Sequence, residues 1–112
     1  MPVHEQLAQG RWQELTFLEQ MANVGSEVER AISWRNKNQK KLMLGSITRA
    51  FELLSLTIDA QRESESRLKE LCRVKECLAD SFLDKNSFLS SDGDWKSYFR
   101  SFTYAANVKA GR

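Results

Sequence analysis

The chain has 112 residues, 41% of them hydrophobic and 29% charged, with one Pro, five Gly and a formal net charge of +2. Such a chain is expected to form a single domain over 1–112 with one modest core, and its apolar content excludes a disordered polypeptide. No apolar run approaches the ~20 residues of a membrane span, and the opening MPVHEQLAQGRW lacks the basic-then-apolar order of a secretory signal, so a cytoplasmic protein with no membrane partner is expected.

Residues 1–10 are expected to fray. A helix is predicted over 11–37, because Leu18, Met21, Gly25, Val28, Ile32 and Arg35 recur every three or four positions and so hold one helical face. At ~1.5 Å per residue it would be the longest helix, roughly 40 Å. A competing start lies inside it: Ser26 and Glu29 form an S-x-x-E capping box just after Gly25. The unbroken phase of the apolar stripe favours one continuous helix, in which Gly25 would let a neighbouring helix approach closely.

A second helix is predicted over 40–62, with Leu44, Ile47, Phe51, Leu54 and Ile58 inward, Met43, Ala50 and Leu53 widening the face, and Thr48, Glu52, Ser55 and Asp59 in water. A third, over 66–84, turns Leu68, Leu71, Val74, Leu78 and Phe82 inward and offers Glu65 and Lys69 as a surface pair. DKNSFLSSDGD reads as a loop. A fourth helix over 92–109 is capped by Ser91 or Asp92, with Asp94 in its first turn and Gly111 near its end. Strand signals are nearly absent. Four long helices with short connections predict an all-α, up-and-down four-helix bundle.

Much chemistry is missing. His4 is the only histidine, which leaves no His general base and no Ser-His or Cys-His pair. No Walker loop or G-x-G-x-x-G occurs, so no cofactor and no enzymatic activity are expected. Cys72 and Cys77 are the only cysteines; on one helix they stand about 140° apart, which precludes a disulfide between them. With no Cys/His cluster, no metal site is expected.

The charge is uneven. Residues 30 to 51 hold six basic side chains and no acidic one, whereas the other ninety carry eleven basic and fifteen acidic groups. The basic sector centres on AISWRNKNQKKL. Arg35, Lys37, Lys40, Lys41 and Arg49 are therefore candidate residues for binding an anion or nucleic acid. Local structure offers another account. Arg35 and Lys37 suit a helix C-terminus and Asn38 suits a left-handed cap. Lys40 and Lys41 do not fit it, because the start of a helix favours acidic side chains. Trp34 beside them is either a base-stacking platform or a packing residue. On the last helix, Trp95, Tyr98, Phe99, Phe102 and Tyr104 exceed what one buried stripe needs, so Trp95, Tyr98 and Tyr104 are candidates for a dimer interface.

From FLEQMANVGSEVERAISWRNKNQ into SITRAFELLSLTI the chain resembles the HEPN superfamily of bacterial helical bundles, over roughly residues 15 to 82. The resemblance lies in a long first helix ending in a polar corner, followed by a second helix with the rhythm A-F-E-L-L. It implies a homodimeric bundle of bacterial type, in the company of a partner such as a small nucleotidyltransferase. HEPN ribonucleases carry an Arg followed, after four to six residues, by a His. No His follows any Arg here, and Lys40 stands where a His after Arg35 would be, so no ribonuclease site is implied. The expectation is a non-enzymatic, homodimeric interaction or binding module; the alternative is a nucleic-acid- or nucleotide-binding bundle using the basic corner.

Overall fold

In a computed structural model of the chain, the described residues are 11–87, 90–109 and 111. They form a 3-10 turn, Arg11–Glu14, and four α-helices: α1 (Phe17–Asn36), α2 (Lys40–Ala60), α3 (Glu65–Leu83) and α4 (Asp92–Lys109). This is the expected all-α bundle. α1 lies between α2 and α4, and α3 packs on α2. Residues 1–10, and His4 with them, fall outside the described residues.

The first helix begins at Phe17 rather than near residue 11, and at about 30 Å it is marginally shorter than α2. A different capping box starts it: the Thr16 hydroxyl accepts the Glu19 N–H at 3.2 Å, and the Glu19 carboxylate accepts the Thr16 N–H at 2.9 Å. The preceding turn then folds under α2. There Trp12, 1% exposed, donates its indole N–H to Thr57 Oγ1 at 3.1 Å, and the Gln20 amide donates to the Trp12 carbonyl at 2.9 Å.

Continuity through Gly25 holds. The Ser26 hydroxyl donates back to the Ala22 carbonyl instead of capping a new helix. Gly25 also has the role its position suggested. A Cβ there would stand 2.6 Å from the Phe99 Cβ, so the hydrogen is what lets α4 lie against α1. Along this seam Met21, Val24, Val28 and Phe99 are buried, and Phe99 carries Trp95 stacked on one side and Tyr98 edge-on at 5.0 Å.

On α2 the buried face comprises Met43, Ser46, Ile47, Ala50, Leu53, Leu54 and Thr57. It is rotated from the predicted stripe, leaving Phe51 and Ile58 at its half-buried edge and Leu44 exposed. The small polar residues Ser46 and Thr57 occupy the contact with α1 and the 3-10 turn, which a count of apolar side chains alone overlooks. On α3, Leu71, Val74, Leu78 and Phe82 are buried as expected, and Lys69 pairs with Glu65 at 3.4 Å. Ser91 caps α4 by reciprocal bonds with Asp94, each 3.0 Å. Hydrogen bonding from Ser91 to the Asp94 carboxylate, from its backbone N–H first and its side chain second, holds that carboxyl below its ordinary range.

Candidate functional site

The basic corner is built by the end of α1. Asn36 is followed by Lys37 and then by Asn38 at φ +59°, and two backbone bonds close the cap: Gln39 N–H to the Trp34 carbonyl at 2.9 Å and Asn38 N–H to the Arg35 carbonyl at 3.0 Å. This Schellman closure turns the chain back within three residues. α2 then starts at Lys40 without a side-chain cap and without an acidic residue in its first turn.

The five candidate cations divide into two groups. Arg35 is held in the structure: its guanidinium bonds to the Asp92 carboxylate and lies 4.6 Å over the Phe82 ring, while the Asn36 amide donates to the same carboxylate. It therefore ties the end of α1 to the start of α4 and the last turn of α3. Arg49 is held as firmly. It donates through Nε to Glu27 Oε2 at 2.6 Å and through Nη2 to Ser46 Oγ at 3.2 Å. Glu27 is buried between α1 and α2 and receives Arg30 as well, so these cations neutralise a carboxylate that would otherwise lie unpaired in the core.

Lys37, Lys40 and Lys41 are exposed, and among the described residues no carboxylate pairs with them. Lys37 rests its ammonium 5.3 Å from the centre of the Trp34 ring, a cation–π contact. Trp34 is half-buried against the core with Lys37 on its face, so packing accounts for it.

The candidate interface residues of α4 are also dispersed. Trp95 is buried, with its indole N–H donating to Ser81 Oγ at 3.3 Å. Tyr98 is half-buried and donates its hydroxyl to Glu70. Burial, reinforced by that bond and by the Glu70 charge, pushes the phenol well above its ordinary value. Both side chains join α4 to α3 and line a shallow groove of about 280 Å³ with Val74 and Cys77. Tyr104 alone is on the surface, 73% exposed, with Val108 one turn further on. Cys72 is exposed, Cys77 is half-buried, and both are free thiols.

Sequence reasoning misses two residues of the basic end. Lys85 and Leu83, which follow Phe82, reach the same end of the bundle as Lys40, because Phe82 lies under Arg35. A contact joining residues 35 and 82 has no signal in local periodicity. Among the described residues, no helix is long and apolar enough to cross a membrane, and no cluster of three His, Cys, Asp or Glu side chains could hold a metal ion. Compared with known proteins, the chain matches no family model, and no curated protein or solved structure matches it.

Proposed function

We propose that this protein is a non-enzymatic, cytoplasmic interaction module that engages an anionic partner through Lys37, Lys40 and Lys41. The observation that carries the reading is the division of the corner: its arginines are bonded to carboxylates, whereas its three lysines are exposed with no acidic partner among the described residues. Lys40 and Lys41 also occupy the first turn of α2, where the helix dipole disfavours cations, so local stability gives no reason for them. The two free thiols suit a reducing compartment. Support for a non-enzymatic role comes from the sequence, whose single histidine is His4.

Self-association is part of the proposal, through the outer face of α4 at Tyr104 and Val108. The HEPN resemblance supports it, since it implies a dimeric bundle working beside a small nucleotidyltransferase. The test is retention of the full chain on a polyanionic resin at low and high salt, with mass in solution measured alongside. Retention that falls with salt and is lost on changing Lys37, Lys40 and Lys41 to Gln is the expected result. Retention unchanged in that variant, or a monomeric mass insensitive to Tyr104→Ser, would count against the respective part. Nucleic acid is the second reading, favoured by the same unpaired lysines at a helix N-terminus, and steep salt dependence on an RNA or DNA oligonucleotide would mark it.

A further inference from the structure

We propose that the end of the bundle where α1, α2 and α3 meet docks on an anionic phospholipid surface; the inference rests on the anion-engaging reading above and names its partner. The last turn of α3 is brought to the α1–α2 corner by Arg35 lying over Phe82. That end therefore presents Lys37, Lys40, Lys41 and Lys85, all exposed, together with Leu42 and Leu83, which are 47% and 54% exposed. Of its carboxylates, Asp92 at the start of α4 is bonded to Arg35, and Asp84 and Asp94 are exposed.

Three features select a lipid surface over other polyanions. The available cations are lysines, which are depleted from protein–protein interfaces, whereas the arginines that recognise bases and carboxylates are bonded within the fold. A lysine lays its alkyl stem along apolar material and keeps its ammonium at the phosphate level. Leu42 and Leu83 stand among those lysines at the tip, and a leucine gains most where it enters the boundary between headgroups and acyl chains, an environment a nucleic-acid backbone does not offer. Finally, four exposed lysines stand against two exposed carboxylates, Asp84 and Asp94, at this end, so a negatively charged plane attracts it and orients the bundle tip-first. The cytoplasmic leaflet supplies such a plane. The expectation of no membrane partner rested on spanning length, which surface docking does not require.

The test is co-sedimentation of the full chain with phosphatidylcholine vesicles, with and without phosphatidylserine, at low and physiological salt. Two variants accompany it, Lys37→Gln/Lys40→Gln/Lys41→Gln and Leu42→Ser/Leu83→Ser, each checked for native helix content and thermal stability; all the changed residues are exposed. Expected is binding to phosphatidylserine vesicles alone, reduced by salt, weakened at least ~20-fold by the lysine variant and weakened also by the leucine variant. Vesicle binding that survives the lysine variant would overturn the proposal by placing the contact elsewhere. No vesicle binding, alongside lysine-dependent binding to a mixed-sequence RNA or to polyglutamate, would overturn the lipid assignment and leave the anion-engaging reading standing. No binding to any of these polyanions would overturn both.

Discussion

α1 takes part in two regions that differ in how their side chains are occupied. Along its seam with α4, Gly25 and Phe99 meet at a distance that leaves no room for a methyl group, and the aromatic rings of α4 stack on one another. At its C-terminal end, Lys37, Lys40 and Lys41 stand in water without acidic partners among the described residues, beside Arg35, which is engaged by Asp92. The difference separates what holds the bundle together from what the bundle displays. Substitution in the seam should act on stability alone, and substitution of the lysines on binding alone.

The largest effect is expected for Phe99→Ala, which removes a buried ring from the seam and should lower unfolding free energy by roughly 3–5 kcal/mol in urea titration. Gly25→Ala should cost about 2 kcal/mol: the helix-propensity gain of up to ~1 kcal/mol is outweighed because the atom in the way is the Phe99 Cβ, which moves only with its backbone. A stabilised Gly25→Ala protein would remove the close approach from the account. Combining the two substitutions should cost somewhat less than their sum, because Phe99→Ala removes the Cγ and Cδ1 that stand 2.9 and 3.1 Å from the added methyl; additivity would mean that the retained Phe99 Cβ carries the whole clash.

Between seam and corner, Glu27→Gln leaves Arg49 half-buried without its countercharge. It should destabilise by about 2 kcal/mol, less than a fully buried pair because Arg49 is partly solvated. The smallest effect is a pH limb at Tyr98. Its folded-state pKa is raised, so its contribution is complete below the ordinary phenol value of ~10 and is lost as pH rises beyond it. Stability should therefore decline above that pH, and less steeply in Tyr98→Phe. An identical alkaline slope in the two proteins would contradict a neutral phenol bonded to Glu70.

Helix type and most boundaries were legible in the sequence because period and turn chemistry are local. Asn38 as a left-handed cap, Gly25 as a close approach and Ser91 as one of two candidate caps of α4 all follow from neighbouring residues. The predicted start of α1 at residue 11 passes over the Thr16–Glu19 box, and Trp12 and Leu15 lie off the face that Leu18, Met21 and Gly25 share. What resolves it is the Trp12 bond to Thr57, forty-five residues away. The basic corner was legible as composition but not as pairing. Asp92 is fifty-seven residues from Arg35, and Glu27 lies a helix away from Arg49. Only packing reveals which cations are engaged, and only packing brings Lys85 and Leu83 beside the others.

The measurement that tests the central claim most directly compares Lys37→Gln/Lys40→Gln/Lys41→Gln with the unaltered chain, both for urea stability and for retention on a polyanionic resin. The account predicts unfolding free energies equal within ~0.5 kcal/mol, as for exposed residues without partners, together with loss of salt-sensitive retention. A variant that is clearly destabilised and binds as before would make the lysines part of the structure and contradict the division drawn between the two regions.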